Sequence, residues 1–209
     1  MTSDYSTHVD QKNRWGGILE IPLISKIQRG CLDGFRVEGL RRALASFAVD
    51  EVLEICCGLG EYSRTRPWRY VGLDNSLDHL SYGHRHYAPA HFIHGHAMKL
   101  PFKDYSFQAV LFACASHHFD DEGFLGVIRE MARISRQYVI VEDCIYYDGQ
   151  SSLSHFFYKL DRGGMFRTQT GMETILNQLK NFKIVHREIF TTFPNLYKHA
   201  VFILEKQQG

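Results

Sequence analysis

The sequence predicts an α/β fold, a mostly parallel sheet with helices on both faces. Short apolar runs alternate with stretches of helical periodicity along the 209 residues. Parallel neighbours need such crossover segments. The first strand ends in a glycine turn, CCGLG at residues 56–60, of the kind that leads into a helix. The last two runs are joined by a segment too short for a crossover helix, so they are expected to pair as an antiparallel hairpin.

The elements follow in order. Residues 1–16 are polar and read as a flexible N-terminus or lid. Residues 17–48 form an N-terminal helical segment, where Leu40, Leu44 and Phe47 share one face. Gly30, Gly34 and Gly39 are expected to break that segment into pieces. Strand one is Glu51–Ile55, and Pro67 cuts short the helix after its turn. Strand two is Tyr70–Leu73, ending in Asp74, and Ser76 caps a helix running to about His86. Strand three spans Phe92–Ala97 and strand four Ala109–Cys114. A helix over Gly123–Ile134 sets Phe124, Ile128 and Met131 on one side, and strand five is Tyr138–Val141. A helix bearing Leu153, Phe156, Phe157 and Leu160 is expected to turn that stripe to the core. A further helix over Met172–Leu179 precedes the closing strands, Lys183–Phe190 and Tyr197–Leu204. The whole reads as one domain, 1–209, with the sheet's centre in 49–145 and later helices and the strand pair in 146–209.

Composition narrows the function. The formal net charge is +1, from 24 basic and 23 acidic residues. A nucleic-acid binder held by phosphate contacts would need a clear basic excess. The longest apolar run, Ala109–Ala115, is too short for a transmembrane segment. The N-terminus has no apolar core of a secretory signal. The 5 cysteines, an odd number, are then expected as reduced thiols in a cytoplasmic protein.

In a doubly wound sheet, ligands bind beyond the carboxyl ends of the strands. Gly58 and Gly60 let the chain turn sharply and let a ligand approach without a Cβ. Asp74 ends strand two, where a carboxylate can accept ribose hydroxyls. GHAMKLPF, residues 95–102, closes strand three, where an adenine lying across the strand ends would arrive. A dinucleotide site is the first rival, but Gly58-x-Gly60-x-x-Ser63 lacks that fingerprint's third glycine. Glu54, just before the turn, also disfavours a pyrophosphate and suits a ligand carrying an ammonium or sulfonium.

VLEICCGLG, YVGLDNS, GHAMKLPFKDYSFQAVLFACASHHF, FLGVIREMARIS and YVIVED, in that order and spacing over about residues 50–145, resemble the class I S-adenosylmethionine-dependent methyltransferases. The small-molecule, methyltransferase type 11-like branch is the nearest in pattern. The resemblance implies a Rossmann-like seven-stranded sheet of order 3-2-1-4-5-7-6 with the last strand antiparallel. It makes 49–145 the cofactor-binding core and 146–209 the acceptor side. It implies that Glu54 organises the loop near the cofactor's amino group and that Gly58 and Gly60 let the methionine part pass. Asp74 would take the ribose hydroxyls, with Asn75 beside the adenine. Ala97 and Met98 would meet the adenine, and Cys114 would lie under the methionine. Two positions depart from the pattern. Cys56 stands where a glycine is usual, and His96 where an acid reads the adenine. A neutral imidazole can accept from the adenine amino group but a protonated one cannot.

On this reading the chain methylates a small-molecule acceptor, apolar or lipid-like compounds included, and releases S-adenosylhomocysteine. His117 and His118, after strand four, are the candidate catalytic pair, since an imidazole there could deprotonate a hydroxyl or thiol. Glu142 and Asp143 stand next as bases or as partners for a cationic acceptor, and Phe166 and Tyr158 as walls of its pocket. Arg167 is expected at the surface or on an acceptor's anionic group. Ser116-His117-His118-Phe119 replaces the sequence that base-amine methylation would imply, which argues further against a nucleic-acid substrate. No metal is expected, because the histidines at 84, 86, 91, 94 and 96 match no ligand spacing. An NAD(P)-dependent oxidoreductase and a noncatalytic binding protein on the same fold remain open, as does the oligomeric state.

Overall fold

The computed structural model describes residues 35–161, 163–192 and 195–207. The expected lid at 1–16, most of the segment 17–48 and Pro194 fall outside them. Helix α1 occupies 35–43 of the described chain. Eight strands follow: β1 (Glu51–Ile55), β2 (Arg69–Asp74), β3 (His91–His94), β4 (Phe107–Ala113), β5 (Ser135–Tyr146), β6 (Arg167–Thr168), β7 (Phe182–Thr191) and β8 (Lys198–Lys206). The remaining helices are α2 (Leu77–His86), α3 (Asp121–Ile134), α4 (Ser152–Leu160) and α5 (Gln169–Leu176).

The sheet order is β3-β2-β1-β4-β5-β8-β7, with β6 paired to β5 off that path. β1 to β5 run parallel, and β8 is antiparallel to both β5 and β7. Without the two-residue β6, which the sequence did not announce, this is the expected order with its antiparallel last strand.

Side-chain alternation fills both faces. Leu53, Ile55, Val110 and Phe112 join Phe124, Ile128 and Met131 of α3 in one core. Val52, Ala109 and Leu111 meet Leu40, Ala43 and Leu44 of the N-terminal segment in the other. A strand buried on both sides reads as a continuous apolar run, as β4 does. The predicted cap holds as well: Ser76 accepts from the His79 N–H at 3.3 Å; the structure adds Asp120 as the cap of α3, accepting from the Gly123 N–H at 2.7 Å.

Four expectations need correction. Gly39 does not break α1; it sits inside the helix, because the Phe190 ring lies where a side chain would go. β3 stops at His94, where the chain turns so that the Gly95 N–H reaches Asp74 O at 3.0 Å. β5 continues to Tyr146 through Glu142 and Asp143, whose charges look like a loop but are fully buried and paired. In α4, Leu153 and Phe156 are 58% and 55% exposed, and Ser154 and Tyr158 turn inward.

Candidate functional site

The loop after β1 is built on left-handed residues: φ is 55° at Cys56, 53° at Gly58 and 89° at Gly60. That region suits glycine and strains other residues. Cys56 therefore occupies a glycine-like backbone position. Cys57 points beneath the loop, its sulfur filling the space above Gly72 of β2. A Cβ on Gly58 would meet nothing within 4 Å, so the loop leaves open space at the strand end. Gly60 is different: a Cβ there would come within 2.6 Å of the Phe92 ring.

Asp74, at the end of β2, ties this loop down. Its Oδ2 accepts from the Gly58 N–H at 2.8 Å and its Oδ1 from the Ser76 N–H at 2.9 Å. Burial alone would push its carboxyl up; hydrogen bonding from His79, Ser76 and Gly58 outweighs that and holds it below the usual range. Exposed Asn75 follows, its carbonyl 3.1 Å from His94 Nε2.

Glu54 lies inside the sheet's N-terminal-helix face and accepts a hydrogen bond from the Tyr70 hydroxyl. Burial raises its carboxyl well above the ordinary value. The Tyr70 bond opposes this, and the negative neighbours Glu61, Glu142 and Asp74 add to it. An acidic neighbourhood of this kind favours a cation.

The turn after β3 folds on itself. His96 bridges to Lys99, and its Nδ1 accepts from the Met98 N–H at 3.3 Å. Ala97 is buried in the core, and the Met98 side chain packs toward Gly126 of α3.

Cys114, just past β4, has φ 50° and joins a buried polar knot. Its Sγ accepts from Arg36 at 3.1 Å and donates to Glu142 Oε2 at 3.1 Å. Glu142 also accepts from Tyr62 at 2.7 Å and pairs with His199 at 2.5 Å. The knot joins α1, the 3-10 turn Glu61–Arg64, β4, β5 and β8. Burial raises the Cys114 thiol, so it stays protonated. Glu142 is occupied here and is not an open base. Arg36, Tyr62 and His199 were not singled out from sequence, since their partners lie 52 to 80 positions away or on other strands.

His117 is buried between two carboxylates. Nδ1 is 2.7 Å from Asp143 Oδ1, and Nε2 is 3.5 Å from Asp161 Oδ1. Burial would lower its pKa, but Asp143 and Asp161 together raise it to about 10. Both ring nitrogens are thus engaged by carboxylates that favour the charged imidazolium, an arrangement that works against proton abstraction by His117. Asp143, likewise engaged, is held well below the usual carboxylate range despite burial. His118 lies beside it and is more exposed, with ring centroids 4.4 Å apart.

Arg167 is also not a surface residue. It is buried, and it donates to Asp121 at 2.8 Å and to the carbonyls of Ser116 and Phe119 at 3.1 and 2.8 Å. It clamps β6 onto the turn after β4. Tyr158, Phe166, Tyr197 and Cys144 form a small buried aromatic cluster beside it, with Phe166 stacked on the His117 ring at 4.8 Å. No helix among the described residues is long and apolar enough to cross a membrane.

Residues 52–137 match a family described as "Methyltransferase domain". Two curated relatives, both demethylmenaquinone methyltransferases, come from Bacillus licheniformis and Bacillus velezensis. The first is 33% identical over 91 residues, 39% of this chain and 38% of its own. The second is 30% identical over 95 residues, 40% of each chain. The chain thus matches about two-fifths of the length of these relatives. Among solved structures, magnesium protoporphyrin IX methyltransferase from Synechocystis PCC 6803, with bound SAH, superposes with a TM-score of 0.68 at 16% identity, covering 88% of this chain and 87% of that one. A possible histamine N-methyltransferase from Thermotoga maritima gives 0.69 at 15% identity, covering 91% and 99%. The [4+2]-cyclase SpnF gives 0.64 at 14%, covering 85% and 81%. Over β1 to the start of β5 the chain is therefore similar to a methyltransferase domain, carried on a sheet of the order the sequence predicts.

Proposed function

We propose that the protein transfers a methyl group from S-adenosylmethionine to a small-molecule acceptor and releases S-adenosylhomocysteine. The observation that carries this is the strand-end cradle: open space at Gly58, with the ionised carboxylate of Asp74 anchored against the same loop. The residues fit the cofactor. Asp74 would hold the ribose hydroxyls, Gly58 and Gly60 would pass the methionine part, and Asn75, His96, Ala97 and Met98 would border the adenine. Glu54 and its acidic neighbours would favour the cationic end, with Cys114 below it. The bound cofactor supplies an activated methyl on a sulfonium; the protein's part is mainly to position donor and acceptor in line.

His118 is the remaining candidate for contact with the acceptor, with His117 held by its carboxylates. The demethylmenaquinone methyltransferase relatives support an apolar or lipid-like acceptor. The near-zero net charge favours a small molecule over nucleic acid. The free cysteines at 56, 57, 114 and 144 fit a reducing, cytoplasmic setting.

Calorimetry with S-adenosylmethionine, S-adenosylhomocysteine and NAD tests the reading. The first two should bind and NAD should not, and Asp74→Ala should weaken binding at least 10-fold while thermal melts confirm folding. NAD binding in their place, or an unchanged Asp74→Ala, refutes it. A second reading, a binding or non-methylating role on the same fold, draws on the likeness to a [4+2]-cyclase. Release of S-adenosylhomocysteine during turnover of an acceptor panel distinguishes the two.

A further inference from the structure

The turn after β4 and the end of α4 converge on a second constellation, apart from the glycine loop. Asp143 is fully buried and fixes the His117 ring through Nδ1 at 2.7 Å, while also accepting from Ser116 Oγ and from the N–H groups of His117 and Cys144. With Nδ1–H fixed on Asp143, a metal ion would take the place of the proton at Nε2, which faces Asp161, and that proton would be released on binding. Nε2 lies 3.5 Å from Asp161 Oδ1, longer than a good N–H···O bond. It is close to the edge, about 3.4 Å, of a tetrahedral site whose nitrogen and oxygen ligands stand about 2.0–2.1 Å from the ion. His118 completes the set: one ligand atom each from His117, His118 and Asp161 lies within 4.8 Å of the others.

We propose that His117, His118 and Asp161 bind a divalent first-row transition ion, with zinc the best match to two imidazoles and a carboxylate. The surroundings are those of a built metal site, in which outer groups orient the ligands. Asp143 sets the His117 tautomer. The Gly163 N–H donates to Asp161 Oδ1 at 3.0 Å and aims that oxygen. Phe166 stacks on the His117 ring at an interplanar angle of 14°. The chain at Gly163 runs so close that a Cβ there would lie 2.8 Å from the His117 carbonyl oxygen. Two carboxylates balance a divalent charge, so the site would not repel a sulfonium nearby. Three protein ligands leave a position for water or an oxygen of a bound molecule.

The ligands span residues 117 to 161, which is why the sequence showed no metal-binding spacing. A second trio, Cys114, Glu142 and His199, is also close together. It is the weaker choice, because the Arg36 guanidinium, 3.1 Å from Cys114 Sγ, already supplies the positive charge. The inference does not depend on methyl transfer, and its test contains no methyl donor.

The full chain, stripped with EDTA and desalted, is titrated with ZnCl2 by calorimetry and with CoCl2 by visible absorption. One ion per chain and a four-coordinate Co(II) spectrum are expected. His118→Ala and Asp161→Asn should each lower affinity at least 10-fold, and Asp143→Asn about 10–100-fold as an outer-group change. The double variant His84→Ala/His91→Ala, at exposed histidines of α2 and β3, should leave binding unchanged. Failure to bind either ion overturns the proposal. So does binding that survives His118→Ala and Asp161→Asn, or that is lost with His84 and His91. Thermal melts confirm folding of each variant, and if Asp143→Asn does not fold, the two ligand variants and the Co(II) spectrum decide.

Discussion

Replacing the left-handed residues of the loop after β1 one at a time separates backbone strain from steric conflict. In Gly60→Ala the new methyl meets both. φ at 89° costs about 1–2 kcal/mol for a residue with a Cβ. The Phe92 ring, 2.6 Å away, adds the about 1–3 kcal/mol typical of overpacking. Phe92 cannot swing clear, because the same ring also fills the space beside Gly83 and Gly72, with approaches of 2.6 and 3.0 Å. The sum is about 2–5 kcal/mol. At about 2–4 °C per kcal/mol for a chain of this size, Tm should fall by about 10 °C. Gly58→Ala carries the strain alone, since nothing lies within 4 Å of its Cβ, so about 1–2 kcal/mol is expected. Cys56→Gly relieves similar strain but loses packing and loosens the unfolded chain, and should stay within about 1 kcal/mol of wild type. Thermal unfolding and urea titration of the three variants give the stabilities, and calorimetry gives cofactor affinity. Equal losses at Gly58 and Gly60 would sink the steric argument. A large loss of stability or cofactor binding in Cys56→Gly would show that the cysteine has a role beyond filling a glycine-like position.

Glu54→Gln should flatten part of the pH dependence of stability. The folded state raises this carboxyl above its unfolded value, through burial and through Glu61, Glu142 and Asp74, so the native state binds its proton more tightly. Wild type should therefore lose stability as pH rises above about 4.5, and the variant should lose less. Melts from pH 5 to 8 check this, and parallel profiles contradict it; cofactor binding should weaken in the same variant. Along α4, Leu153→Ser and Phe156→Ser should each change stability by no more than about 0.5 kcal/mol, as exposed positions do. Tyr158→Ala should cost about 3–5 kcal/mol, since the ring is buried and its hydroxyl donates to Ile145 O at 2.9 Å. Urea titrations reversing that order would restore the core-facing stripe.

Much of the site's scaffold was legible because it depends on local rules. Gly58 and Gly60 were readable as a turn because few residues tolerate their backbone angles. Ser76 announced α2 through capping, and the doubly buried β4 announced itself as an unbroken apolar run. Asp74 was placed by its position at a strand end. The misreadings share a cause. Glu142, Asp143 and Arg167 look solvent-facing by residue type, and only their partners make them interior. The stripe on α4 had the right period but no information about what covers it.

The sequence by itself determined the order of strands and helices, the glycine turn after β1 and the resemblance to a methyltransferase domain. These follow from backbone preference and from apolar periodicity, which act over a few residues. Only the tertiary structure decided what the polar groups do. It set His117 between Asp143 and Asp161, Cys114 between Arg36 and Glu142, and Arg167 over the turn at Ser116. A buried charge is tolerated only beside a compensating partner, and those partners are brought together by the sheet rather than by the chain.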